Sequence, residues 1–138
     1  MTILCPIDFS AVTEELVACA AALAAGAGAE LRLLHVLEAG GGSLPDLQLA
    51  HELARHREAA RQAGARVTTA VAQGEAAAEI VAEARLHPAD MLVIGAHGQT
   101  GHARFLMGST AETVVRTAPC ITLLVKPGSS QQALRPTG

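Results

Sequence analysis

The chain has 138 residues, is 50% hydrophobic and 17% charged, and carries a net charge of −3. That length and apolar fraction indicate a single domain with a packed core. Aromatic residues amount to 1%, Phe9 and Phe105, and no long basic run occurs, which argues against a stacking platform or a charged surface for nucleic acid.

No stretch is long and apolar enough to span a bilayer, and Met1-Thr2-Ile3 lacks the charged start of a signal peptide. Cys5, Cys19 and Cys120 each sit in an apolar segment. They form no paired framework and read as buried, reduced thiols of a cytoplasmic protein.

The first predicted element is a buried strand at Ile3-Leu4-Cys5-Pro6-Ile7. Proline is awkward inside a ladder, so Pro6 should lie near the strand end. Asp8-Phe9-Ser10 makes the turn, with Ser10 as N-cap and Glu14 and Glu15 near the helix start. The helix should bury Val12, Leu16, Cys19, Ala20 and Leu23, and Gly26-Ala27-Gly28 reads as its C-cap and turn. Leu31–Leu37 is the second strand. Gly40-Gly41-Gly42 connects it to a helix running from about Asp46 to Gly64, with Leu47, Ala50, Leu53 and Ala60 inward and Arg55, Arg57 and Arg61 on a solvated face.

Val67–Val71 is a more polar strand, suited to a sheet edge. Gly74-Glu75 opens a third helix with Ala77, Ile80, Val81 and Ala84 at helical spacing, closed by Pro88. Met91–Ile94 is a fully buried strand. A fourth helix carries Ala111, Val114, Val115 and Ala118 and ends at Ala118-Pro119. Ile121–Val125 is the fifth strand, and residues 128–138 read as a flexible tail after a domain of residues 1–127. Strand–helix alternation throughout makes the class α/β, an open parallel five-stranded sheet with helices on both faces.

Between the fourth strand and the fourth helix lies the glycine-rich stretch GAHGQTGHARFLMGST. Glycine lets backbone N–H groups approach a ligand, and a helix start offers unpaired donors and partial positive charge. Together they suit a phosphate. The stretch is not a P-loop: Met107 precedes Gly108-Ser109, and the only lysine is Lys126. Nor is it a dinucleotide fingerprint, which needs Gly-x-Gly-x-x-Gly after the first strand. Its spacing is Gly95-x2-Gly98-x9-Gly108-Ser109.

That spacing, with its flanking strand and helix, resembles the nucleotide-binding loop of the universal stress protein family. The resemblance covers nearly all of residues 1–127. It implies the strand order 3-2-1-4-5, with strands 1 and 4 adjacent at the centre and their carboxyl ends forming the switch-point crevice where such sheets bind ligands. It implies an adenine nucleotide, ATP or else ADP or AMP, with Mg²⁺ or Mn²⁺ held through its phosphates. Pro6, Ile7 and Asp8 would flank the base with Val36, and Ile94 would line the same pocket.

Gly95 and Gly98 would pass under ribose and phosphates, and Gly108, Ser109 and Thr110 would present N–H groups to the phosphates. Asp8 is placed to accept ribose hydroxyls or to help hold the divalent cation; a turn or cap role is the plain alternative. Ser109 is equally an ordinary N-cap, and the two roles can coexist. Arg104 and the histidines are the loop's only positive side chains, so backbone dipoles and the cation must do the rest. Arg104 pointing to solvent, and His97 as a loop histidine with no special role, are the alternatives.

His51-Glu52-Leu53-Ala54-Arg55-His56 imitates a zinc-protease helix, but its histidines are five apart where that motif requires four. They would sit roughly 140° apart around the helix. No structural zinc is expected.

The leading expectation is a small cytoplasmic ATP-binding regulatory protein, switching unidentified protein partners. An alternative is a slow ATPase or phosphotransferase at the same site, for which no clear base stands out; Glu112 lies one turn into the last helix. A second alternative is a structural dimerisation module with a vacant pocket. In the 3-2-1-4-5 order strand 5 is an edge, and Ile121–Val125 is too apolar to leave exposed, so a symmetric homodimer through it is expected.

Overall fold

The structure is a computed structural model that describes residues 1–38, 44–96 and 108–126. Its elements are β1 (Thr2–Pro6), α1 (Thr13–Ala27), β2 (Glu30–Leu37), α2 (Asp46–Gln62), β3 (Arg66–Gln73), α3 (Ala76–Leu86), β4 (Met91–Gly95), α4 (Ser109–Thr117) and β5 (Ile121–Val125). The strands form one parallel sheet in the order β3-β2-β1-β4-β5. The tail expected after Pro127 lies outside the described residues.

Side chains on a strand alternate between faces, so a doubly covered sheet feeds two cores. Ile3, Cys5 and Ile7 pack with α1 and α2, whereas Leu4 packs with α3 and α4. Ala20, Ala21 and Ala24 of α1 are fully buried. Small side chains there allow close approach of helix and sheet. On the other side, Leu92 and Val114 are fully buried, and truncating such a leucine to alanine costs about 2–5 kcal/mol.

The α3 stripe is the expected one, Ala77, Ile80, Val81 and Ala84. The helix is capped by Glu75, whose carboxylate accepts the N–H groups of Ala77 at 3.1 Å and Ala78 at 2.9 Å. Two other helices are rotated from their expected faces. In α1 the buried set is Thr13, Leu16, Val17, Ala20, Ala21 and Ala24, and Leu23 lies at the flank, 36% exposed. In α2 the buried set is Leu49, Leu53, His56 and Ala60; Leu47 is 86% exposed and Ala50 is also outside. The phase fixed by Leu53 and Ala60 runs back to Leu49, one turn earlier, and Leu47 falls on the opposite side. In α4 only Ala111 and Val114 are buried, and Val115 faces out.

Pairing at the centre of the sheet stops short of its carboxyl end. β1 pairs with β2 as far as Pro6↔Leu34, but with β4 only at Ile3↔Met91 and Leu4↔Leu92. The Thr2 N–H is used on the β4 side, by Asp90, and the Ile7 N–H on the β2 side, by Leu34. Alternation therefore aims position 6 at β4, where proline has no N–H to give. β4 continues with β5 to Gly95↔Val125 instead. Beyond Leu4↔Leu92 the two central strands share no paired positions, and this is the switch point at which such sheets form a crevice.

Candidate functional site

Three segments meet at that crevice. The first is the end of β1. Ile7 is buried, and its N–H donates to Leu34 O at 2.8 Å. Asp8 is half-buried. Its Oδ1 accepts the Ser10 N–H at 3.0 Å and the Thr13 hydroxyl at 3.4 Å. This Asx turn displaces the expected cap: the Thr13 N–H donates to Ser10 O, and Val12 precedes the helix with no side-chain cap bond. Ser10 Oγ is buried and has no hydrogen-bond partner among the described residues. A buried hydroxyl left so costs about 1–3 kcal/mol, and such an atom in a native protein calls for an explanation.

Phe9, between Asp8 and Ser10, has φ of 59°. The left-handed region costs a non-glycine residue roughly 1–2 kcal/mol. Its ring is held by two histidines. The His35 ring lies 4.5 Å away, tilted 36°, and the His56 ring stacks at 6.0 Å with planes 15° apart. His35 Nδ1 lies 2.9 Å from Ile7 O; a carbonyl only accepts, so Nδ1 carries the proton. His56 is 2% exposed. Burial, then the neighbouring Arg55 charge, push its pKa below the ordinary imidazole value, against Glu52 and Glu14.

The second segment is the end of β2, where Val36 is half-buried against the α3/α4 core. The third is the passage from β4 to α4. Ile94 is buried and Gly95 partly exposed. The Ala96 N–H donates to Val125 O at 3.0 Å, and Ala96 O accepts the Gly108 N–H at 2.7 Å. Gly108 is the N-cap of α4, and the first amide bonded back within the helix is that of Glu112, to Gly108 O. The N–H groups of Ser109 and Thr110 precede it and have no acceptor within the helix. They form the positive pole of α4. Glu112 pairs with Arg116 at 2.6 Å and is exposed.

The structure thus brings Pro6, Ile7, Asp8, Val36, Ile94, Gly95, Gly108, Ser109 and Thr110 to the carboxyl-end side of the sheet. His97, Gly98 and Arg104 lie outside the described residues. Gly108 differs from the expected phosphate donor in one respect, since its N–H is engaged by Ala96. The Phe9–His35–His56 cluster was missed in the sequence. The signal was available in part: position 56 continues the Leu49–Leu53–Ala60 stripe. His51 is exposed and His56 buried, so the two do not face one ligand. The thiols of Cys5, Cys19 and Cys120 are free, and burial pushes all three pKa values up.

The sequence model of the universal stress protein family matches residues 1–126. A universal stress protein of Methanocaldococcus jannaschii is 39% identical over 74 residues, 54% of this chain. That match spans only 44% of the relative's length. Among solved structures, hypothetical protein MJ0577 superposes with a TM-score of 0.81 over 93% of this chain and 96% of that one, at 24% identity. The universal stress protein from Archaeoglobus fulgidus, solved in complex with dAMP, gives a TM-score of 0.72 over 91% of this chain and 98% of that one, at 28% identity. The 3-2-1-4-5 sheet and the match over residues 1–126 agree: the chain belongs to the universal stress protein family.

Proposed function

We propose that this chain binds an adenine nucleotide, ATP with Mg²⁺ or Mn²⁺ in the first instance, and that the bound state switches its association with other proteins in the cytoplasm. The observation that carries the reading is the end of β1–β4 pairing at Leu4↔Leu92, at the switch point of the sheet beside the α4 N-terminus. The dAMP complex of the Archaeoglobus relative supports the adenine class. The base fits between the Pro6-Ile7-Asp8 turn and Val36, with Ile94 as an aliphatic wall. Asp8 receives the ribose hydroxyls or helps hold the cation. The phosphates run past Gly95 and Gly98 toward the N–H groups of Ser109 and Thr110, with His97 and Arg104 in the same loop. Gly108 contributes space, because its N–H is engaged.

The residues fit the ligand chemically. A carboxylate, an unpartnered buried hydroxyl at Ser10 and a helix N-terminus stand at one end of the sheet. The cation, held through the phosphates, would add positive charge to the dipole of the α4 N-terminus. Titration calorimetry of ATP·Mg²⁺ into the wild type and Asp8→Asn tests this. Asparagine keeps an acceptor for the Ser10 N–H and removes the charge. The expected loss is about tenfold or more in affinity; equal binding by both proteins removes Asp8 from the site.

The homodimer belongs to the same reading. Val125 packs in the α1/α2 core, so alternation puts Ile121 and Leu123 on that face too. They are 69% and 37% exposed. An apolar edge strand with one uncovered face is suited to pairing with its mate.

A further inference from the structure

The β1–α1 turn adopts a conformation that its own sequence does not favour. Phe9 stands in the left-handed region, where glycine or asparagine would be at ease. What holds it there comes from far along the chain: the rings of His35 on β2 and His56 on α2 both lie against its ring. Each grip is itself anchored. His35 donates to Ile7 O, the residue two before Phe9. His56 sits in the buried stripe of α2 with Leu49, Leu53 and Ala60. The gripped residue is the immediate neighbour of Asp8, whose Oδ1 fastens Ser10 and Thr13.

We infer that His56 and His35 are positioning residues for the nucleotide site, clamping Phe9 so that the β1–α1 turn presents Asp8 and Ser10 to the ligand. The inference rests on the adenine-nucleotide reading above. The ligand class is a nucleoside whose ribose meets Asp8, and the clamp acts on it only through the turn.

The clamp also makes the turn responsive to acid. The groups facing His56 are Glu52 at 3.8 Å and Arg55 on its own helix, Glu14 from α1, and Phe9 with His35 behind it from the β1 and β2 side. Burial and Arg55 outrank the two carboxylates and keep the ring neutral at pH 7. Protonating it places a charge in a seat that is 2% exposed. The stack then loosens as the pH falls below the ordinary imidazole range, and the turn loosens with it.

Two readouts on the same proteins test this. In the nucleotide-free protein, backbone amide resonances of Asp8, Phe9 and Ser10 should follow the titration of the His56 ring. They should lose that step in His56→Leu, which keeps the volume and the apolar seat. In calorimetry with ATP·Mg²⁺, His56→Leu should bind roughly three- to tenfold more weakly at pH 7.5, the factor an aromatic pair is worth. Its affinity should also change less than that of the wild type between pH 7.5 and 5.5. Phe9→Gly adopts the left-handed turn without a ring, so adding His56→Leu to it should cause no further loss.

Turn amides that ignore the His56 titration overturn the clamp, whatever the nucleotide does. So does a His56→Leu effect that is undiminished in the Phe9→Gly background. A wild type whose turn amides titrate but which binds no adenine nucleotide overturns the functional reading and the positioning role with it, and leaves a clamp of purely structural meaning.

Discussion

The Gly108 N–H donates to the Ala96 carbonyl at 2.7 Å, so the residue after β4 is tied directly to the residue before α4. The Ala96 N–H is fixed in turn to Val125 O, the last residue of the edge strand. The start of α4 is thereby fastened to the ends of β4 and β5.

Gly108→Pro tests that tie. Gly108 has φ of −61° and ψ of 155°, values proline accepts, so the substitution removes the N–H without forcing the backbone at this residue. It leaves a buried carbonyl unpaired, and about 1–2 kcal/mol of stability should be lost. Urea unfolding measures it. ATP affinity should fall more steeply than stability suggests, since the tie between the end of β4 and the start of α4 is lost. Unchanged stability and affinity would mean the bond does not organise the start of α4.

Acid should weaken the fold through His56. Its folded pKa is lowered, first by burial, so the unfolded chain binds the proton more readily. Stability from this group is fully present above the unfolded imidazole value of about 6.5 and is lost as pH falls through the folded value. Urea midpoints from pH 7.5 to 5 should decline, with a smaller decline in His56→Leu. Parallel declines in the two proteins would assign the acid sensitivity elsewhere.

Two glycines should respond oppositely to alanine. Gly74 has φ of +146°, and an added Cβ would lie 2.8 Å from the Glu79 side chain. The side chain can move, the backbone cannot, and Gly74→Ala should cost about 1–3 kcal/mol. Gly26, inside α1, has nothing within 4 Å of an added Cβ. Gly26→Ala should gain up to about 0.5 kcal/mol, a fraction of the interior-helix value because it lies in the last turn. Thermal melts of the two variants should move in opposite directions.

Much of this arrangement was legible in the sequence. The α3 face could be read from spacing because Ala77, Ile80, Val81 and Ala84 recur at helical intervals, with Glu79 and Glu83 between them. The α2 face could not, because Leu47 is apolar yet exposed and His56 is polar yet buried; the phase is set by packing against the sheet. Ser10 reads as a cap by residue type, but Asp8 takes its N–H and moves the helix start to Thr13. Pro6 announced the strand end, and only the alternation of bonded N–H groups shows that its missing N–H falls on the β4 side, where the ladder stops. The Phe9 clamp unites positions 9, 35 and 56 through tertiary packing, for which no local spacing exists.

The edge strand gives a prediction about assembly. Ile121 and Leu123 are the exposed large apolar residues of β5. Replacing Leu123 with lysine should convert a dimer to a monomer at micromolar concentration, read by light scattering, with little change in monomer fold because the position is already 37% exposed. A wild type that is monomeric under the same conditions contradicts the dimer.

The most direct test of the central claim is the nucleotide content of protein purified without added nucleotide. The protein is denatured, and the released small molecules are separated and weighed by mass detection. The account predicts an adenine nucleotide approaching one per chain, or calorimetric binding of added ATP·Mg²⁺ where purification has stripped the site. An empty protein that also ignores ATP·Mg²⁺ would contradict it. The sheet and family membership would then stand without a nucleotide switch.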